Sequence, residues 1–85
     1  MKLLFCGKCN DIFNLSVHMK TCSCGNAKGK YINKVDAEYW GESVYPLGML
    51  NEEVRKAIVK QPHQGLGQRY TAFVIPKKCP TMKKR

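Results

Sequence analysis

Four cysteines near the start of the chain have the type and spacing that could do chemistry. Cys6 and Cys9 form a Cys-x-x-Cys pair, and Cys22 and Cys24 form a Cys-x-Cys pair. Each pair places two sulfurs on a tight turn, and the twelve residues between the pairs are enough for a hairpin that brings them together. Four thiolates suit a soft ion with tetrahedral geometry. The sequence therefore predicts one structural Zn²⁺ held by all four sulfurs.

Other interpretations of the cysteines remain open. A catalytic zinc keeps one coordination position for water, and four thiolates leave none, so a structural role is favoured. A redox dithiol and a set of buried thiols are the further alternatives. His18 lies between the pairs and could replace one cysteine, although four cysteines already fill the site.

Over residues 3–30 the chain resembles the zinc-ribbon (rubredoxin-like) class. The resemblance rests on the four cysteines together with Gly7 and Gly25, and the Cys-x-Cys spacing is its one departure. It implies a hairpin-borne structural zinc, and such ribbons often serve in nucleic-acid or protein-binding assemblies. The overall organisation, a short basic chain with a ribbon followed by a second compact segment, also resembles that of small proteins of bacteriophages and bacteria.

Length and composition predict one small domain over residues 1–85, with a zinc ribbon at 3–30, strands and one helix at 31–76 and a basic tail at 77–85. The expected fold class is α+β and β-rich: a ribbon hairpin plus a small antiparallel sheet. A chain this short buries only about two thirds of its unfolded surface. A structural zinc, which contributes on the order of 10 kcal/mol, would therefore matter for its stability.

The extended segments of the first part follow from apolar positions. Leu3 and Phe5 begin the first strand, and residues 11–15 form the second. A return strand through residues 17–19 is expected to deliver Cys22 to the metal.

Three later segments complete the predicted β structure and its connections. Residues 29–40 have a β-type composition, which predicts a hairpin that turns at Asn33 and Lys34. Residues 44–48 are expected to form an irregular apolar loop, and residues 70–75 a strand buried on both faces.

One short helix is predicted at about residues 51–60. Asn51 is a good N-cap, Leu50 before it could form a hydrophobic staple, and Pro62 ends the helix. The helix is too short to be stable without packing. Its predicted apolar face carries Val54, Ala57 and Ile58.

Lysine and arginine outnumber aspartate and glutamate by 15 to 6, for a net charge of +9. Nucleic acid, an acidic protein surface and a phosphorylated ligand are all compatible partners. Aromatic residues interleaved with lysines could stack single-stranded nucleic acid, or could simply be core. These aromatics are Tyr31, Tyr39, Trp40, Tyr45 and Tyr70, and the candidate anion or nucleic-acid contacts are Lys28, Lys30, Lys34, Arg69, Lys77 and Lys78.

Three binding functions are compatible with these features. We favour docking on a protein target, as an inhibitor or adaptor, because the apolar segment 44–50 could present an exposed patch. The candidate interface residues there are Tyr45, Pro46, Leu47 and Met49. The alternative is a nucleic-acid-binding accessory protein. The third is sequestration of a nucleotide-like anion by the loop 65–69, although a plain connecting loop is the simpler interpretation.

An enzyme is the weakest hypothesis. The chain has six acidic residues and shows no set of nucleophile, base and orienting group. Cys79 could be a nucleophile or a substitute ligand, with a pKa lowered by nearby lysines, or an unreactive thiol near the last strand. No apolar run approaches the ~20 residues of a membrane helix. Reduced, metal-binding cysteines then predict a cytoplasmic protein.

Overall fold

The computed structural model describes all residues from Met1 to Arg85 and contains two four-stranded sheets and one helix. The small α+β, β-rich fold predicted from the sequence is therefore confirmed at this level. In chain order the elements are β1 (Lys2–Cys6), β2 (Ile12–Asn14), β3 (Lys20–Thr21), β4 (Lys28–Tyr31), β5 (Ala37–Trp40), β6 (Val44–Met49), α1 (Asn51–Val59), β7 (Ala72–Val74) and β8 (Met82–Lys84).

The first sheet has the strand order β2-β1-β6-β7, and all its neighbours are antiparallel. The predicted apolar loop at residues 44–48 is wrong, because this segment is the inner strand β6. Val44, Pro46 and Gly48 are buried at every second position, which is the period of a strand. Pro46 has no backbone N–H to donate to a neighbouring strand, but its carbonyl accepts the N–H of Ile75 at 2.9 Å.

The second sheet has the order β3-β4-β5-β8. The predicted hairpin between β4 and β5 is present, and the side-chain oxygen of Asn33 accepts the N–H groups of Val35 and Asp36, both at 2.8 Å. The expected basic tail contains β8, which runs parallel to β5. Met82 explains this difference, because its side chain is only 2% exposed and anchors the lysine-rich segment in the core.

The expected return strand at residues 17–19 is not formed. Leu15 is buried in the core and the chain passes from one sheet to the other, where the N–H of Tyr31 bonds the carbonyl of Ser16 at 2.7 Å. The next strand, β3, pairs with β4 and not with β2. The two cysteine pairs therefore lie on two hairpins that belong to different sheets.

The helix α1 has the expected length but a different start. Leu50, not Asn51, occupies the N-cap position, and no side chain caps the helix. The predicted cap at Asn51 and staple at Leu50 are therefore wrong. No residue of α1 is buried, although Val54 and Ala57 are partly covered beside the exposed residues 61–70.

The predicted strand 70–75 is shorter, and its predicted burial on both faces is wrong. β7 lies at the edge of the first sheet, so its three residues are exposed, and only Ile75 beyond it is buried. The sequence of this apolar run does not reveal that it forms an edge strand, with a neighbouring strand on one side only.

The core lies between the two sheets and positions the cysteine pairs. Leu4 of the first sheet and Tyr39 of the second are buried in it. Gly29 permits this close approach, because a Cβ there would lie 2.6 Å from Cδ1 of Leu4 and 2.9 Å from Cδ2 of Leu15. The chain has no helix with the length and apolar character needed to span a bilayer.

Candidate metal centre

The four cysteines predicted as ligands converge on one point between the sheets. Cys6 ends β1 and Cys9 lies in the turn to β2, whereas Cys22 follows β3 and Cys24 lies in the turn to β4. Cys6 and Cys22 are buried, Cys9 is half-buried and Cys24 is exposed. The cluster therefore joins a hairpin of one sheet to a hairpin of the other.

The sulfur geometry fits a tetrahedral ion. All four Sγ atoms lie within 4.8 Å of one another. The Sγ of Cys24 is 3.7 Å from that of Cys6 and 3.5 Å from that of Cys22. With Zn–S bonds of about 2.3 Å, a regular tetrahedron places its sulfurs about 3.8 Å apart. A metal ion can therefore be held by these side chains with little movement.

The two cysteine turns share one backbone feature, a residue with positive φ. The residue directly after the second cysteine of each pair has a left-handed conformation, with φ of 62° at Asn10 and 81° at Gly25. Both residue types tolerate this region. Gly7 has another role, because its N–H bonds the carbonyl of Ser43 at 2.7 Å and a Cβ there would lie 2.8 Å from that oxygen.

Asn26 supports the buried end of the cluster. Its side-chain amide lies 3.6 Å from Sγ of Cys6 and donates to the carbonyl of Glu42 at 2.6 Å, while its oxygen accepts the N–H of Glu42 at 3.3 Å. The N–H of Ala27 points at Sγ of Cys22, at 3.2 Å. Donors aimed at sulfur stabilise the thiolate over the thiol.

The pKa values of the thiols show opposing influences. Burial raises the pKa of Cys6, but hydrogen bonds from the Asn26 side chain and the backbone of Cys9 outweigh it and lower the pKa to about 6. The backbone N–H of Asn26 lowers the pKa of Cys24, but the nearby sulfur of Cys22 and burial raise it, to about 12. Burial raises the pKa of Cys22 too, but the N–H of Ala27 and the neighbouring Cys24 lower it on balance. Without a cation the cluster thus favours thiolates at Cys6 and Cys22 and resists a full set, whereas a divalent ion would neutralise the crowded charge.

Asp11 and Asn26 are the supporting residues that sequence reasoning missed. Asp11 accepts hydrogen bonds from Ser23 in the other cysteine turn. Their contacts join different hairpins, so no local sequence pattern predicts these contacts. Only their positions next to the cysteine turns could have suggested a role.

His18 and the fifth cysteine lie apart from the cluster. His18 is exposed and does not join the four sulfurs. Cys79 is half-buried against the core near β8, and its Sγ lies 3.5 Å from the hydroxyl of Thr81. That hydrogen bond lowers the pKa of Cys79, with a smaller contribution from the ammonium of Lys2.

The candidate anion contacts are divided among separate places. Lys28 and Lys30 lie on β4, and Lys34 lies in the turn after it. Arg69 precedes β7, and Lys77 and Lys78 come after it. Loop 65–69 is exposed along its whole length.

Three of the four candidate protein-interface residues share one face of β6, and the fourth lies on the opposite face. Tyr45 is exposed and Leu47 and Met49 are half-buried at every second position, which places the three on one outer face, whereas Pro46 is buried on the core face. Among the aromatics, Tyr39 is buried in the core, whereas Trp40 beside it is half-buried.

Comparison with known proteins places the chain in no family, since no family model, curated protein or solved structure matches it. The function must therefore be inferred from the cysteine cluster and from the two sheets that the cluster joins.

Proposed function

We propose that the chain is a zinc-stabilised binding module that engages single-stranded nucleic acid. The observation that supports the zinc is the convergence of four sulfurs within 4.8 Å from hairpins of two sheets. An ion there is structural, because all four positions of a tetrahedron are taken by protein. The resemblance to zinc ribbons over residues 3–30 agrees with this role.

The binding surface proposed is the outer face of the second sheet, which we call the basic face. It comprises Trp40 and four basic residues, Lys28, Lys30, Lys83 and Arg85. In the register of the sheet, Trp40 lies opposite Lys28, and Glu38 lies opposite both Lys30 and Lys83. Residues directly opposite each other share a face, and this face is the one opposite to buried Tyr39.

Charge and aromatic character on the basic face match a phosphate backbone with accessible bases. Glu38 is its one acidic residue, and its carboxylate is paired with Arg85 at 2.8 Å and Lys30 at 4.0 Å. Lys28 and Lys83 have no ion-pair partner. A half-buried Trp40 beside Lys28 offers a flat surface for a base next to a cation for its phosphate.

Docking through residues 44–50 has less support than the sequence suggested. That segment is an inner strand with Pro46 buried, so three of the four candidate residues reach its outer face, and two of these, Leu47 and Met49, are already half-buried. The basic face combines an aromatic ring with two lysines that have no ion-pair partner, which suits an extended polyanion.

The proposal is tested by fluorescence anisotropy with single-stranded DNA and RNA oligonucleotides over a range of salt concentrations. We expect Lys83→Glu to weaken binding and to make its salt dependence shallower, because one phosphate contact is lost. Lys56→Glu is the matched control, since it makes the same charge change on exposed α1. Equal effects of the two variants, or no binding of either nucleic acid at low salt, would contradict the proposal.

A further inference from the structure

The exposed edge of the first sheet is the strongest feature that the proposed function leaves unused. β7 ends the order β2-β1-β6-β7, and its residues Ala72, Phe73 and Val74 are all exposed. Val74 is 65% exposed. A strand edge with apolar side chains and free backbone groups is a template for another strand.

The register of β7 identifies which backbone groups are free. The N–H of Ile75 donates to the carbonyl of Pro46 in β6. Residues that face a neighbour alternate along an antiparallel ladder, so Phe73 also directs its backbone groups to β6. The N–H and C=O groups of Ala72 and Val74 then point to the open side.

Two packing contacts hold the strand against the first sheet. A Cβ on Gly48 would lie 2.6 Å from Cζ of Phe73, so the missing side chain on β6 makes room for the aromatic ring. Ile75 is buried directly after the strand. These two contacts fix β7 while its outer side stays open.

The charge around β7 determines which strand it can accept. Arg69 precedes the strand, Lys77 and Lys78 come after it, and none of the three takes part in an ion pair. Residues 54–85 contain nine basic and no acidic residues, so no carboxylate of this stretch can screen them.

A second copy of the chain is a poor occupant for this edge. Antiparallel pairing of two β7 strands centred on Phe73 would place Arg69 opposite Lys77 of the other copy at both ends. Like charges directly opposite each other destabilise a strand pair. The same charges attract an extended segment with acidic ends.

We propose that β7 accepts an extended acidic peptide segment of a partner protein as a fifth strand of the first sheet. The main-chain groups of Ala72 and Val74 supply the ladder, and Arg69, Lys77 and Lys78 select the acidic ends. This site lies on a different sheet from the basic face, and so it would make the module an adaptor between a nucleic acid and a protein.

The test uses the full-length, zinc-loaded chain and a fluorescein-labelled peptide that alternates threonine and valine between glutamates at each end. The same peptide with lysines at its ends is the charge control. We expect the acidic peptide to bind at least about tenfold more tightly. We also expect the amide protons of Ala72 and Val74 to become protected from exchange when it binds.

Val74→Pro separates strand addition from simple charge attraction. Proline removes the outward N–H without touching a bond to β6, and edge positions tolerate it. We expect this variant to lose at least about tenfold in affinity, whereas Val74→Ala, which keeps the N–H, retains it. Circular dichroism and zinc content establish that both variants fold. If Val74→Pro does not fold, the double variant Lys77→Glu, Lys78→Glu serves instead and should reverse the preference between the peptides.

Several results would overturn the proposal. One is that the acidic peptide does not bind, or that both peptides bind equally well. Another is that the folded Val74→Pro variant binds the acidic peptide as tightly as the wild type. If that variant does not fold, an unchanged preference between the peptides in the charge-reversed double variant has the same meaning. If sedimentation shows a homodimer of the wild type and a monomer of Val74→Pro, the edge serves self-association. Protection of Ala72 and Val74 by single-stranded DNA would assign it to nucleic acid. Oligonucleotide binding that is unchanged in Val74→Pro shows that the two surfaces are independent.

Discussion

The carboxylate of Asp11 accepts two hydrogen bonds from Ser23, one from its backbone N–H at 3.0 Å and one from its hydroxyl at 3.1 Å. Asp11 lies next to the turn of the first cysteine pair, and Ser23 lies between the cysteines of the second. The pair therefore clamps the two hairpins together without using the metal. Its hydrogen bonds help to hold the two cysteine turns, and so the four sulfurs, near one another.

Replacement of Asp11 tests this clamp. We expect Asp11→Ala to lower the free energy of unfolding of the zinc-loaded protein by about 1–3 kcal/mol, because two hydrogen bonds to a carboxylate are lost. Urea denaturation followed by circular dichroism measures the change. Glu52→Ala removes a carboxylate from exposed α1 and should change stability by less than about 0.5 kcal/mol. An equal effect of the two substitutions would argue against the clamp.

Acid should release the metal. Protons compete with zinc for thiolates, so affinity falls as pH falls. The pKa of Cys6 is lowered to about 6, compared with 9.0 for an ordinary thiol. A lowered pKa keeps Cys6 deprotonated above about pH 6 and lets it bind a proton below. We therefore expect zinc to be retained at neutral pH and released in acid, at a pH below the value of about 6 at which the metal-free Cys6 thiol takes up its proton, as measured with a zinc-sensitive dye. Retention of the zinc in strong acid would contradict this.

Met82 should hold the end of the chain in the second sheet. We expect Met82→Ala to reduce the free energy of unfolding by about 2–5 kcal/mol, because a fully buried side chain is truncated. Lys83→Ala, at the exposed neighbouring position of β8, is the control and should have little effect. Thermal or urea unfolding measures both. If the two variants have the same stability, β8 does not contribute to the core.

Trp40 should contribute stacking and not charge to the basic face. We expect Trp40→Leu to weaken binding of single-stranded oligonucleotides by about 1–3 kcal/mol while the salt dependence stays the same. Tyr45→Leu, on the other sheet, is the matched aromatic control and should bind normally. Anisotropy titrations at several salt concentrations separate the two contributions. A changed salt dependence with unchanged low-salt affinity would contradict a stacking role.

The cysteine cluster was predictable because ligand identity and spacing are local. Its surroundings were not, since Asp11 and Asn26 act across hairpins whose pairing is set by the core. The sequence predicted that one hairpin would carry both cysteine pairs. Instead, Leu15 is buried in the core and the chain continues into the second sheet, so the expected return strand does not form.

Two strands show why other segments were missed. In β6 the residues Pro46 and Gly48 resemble loop residues, yet the alternation of burial shows a strand, and Gly48 makes room for Phe73. In β8 the lysines suggest a solvated tail, but Met82 is buried and the strand pairs in parallel with β5. Parallel pairing between distant segments leaves no local pattern in the sequence.

We propose that one metal ion bound by Cys6, Cys9, Cys22 and Cys24 organises the two sheets. The most direct measurement is the metal content of freshly purified, reduced protein, by elemental analysis together with native mass spectrometry. We predict one zinc per chain in the wild type and in Cys79→Ser, and its loss together with the cooperative fold in Cys22→Ser. Absence of stoichiometric metal in the wild type, or an unchanged fold after the ligand cysteines are replaced by serine, would rule out this role for the metal.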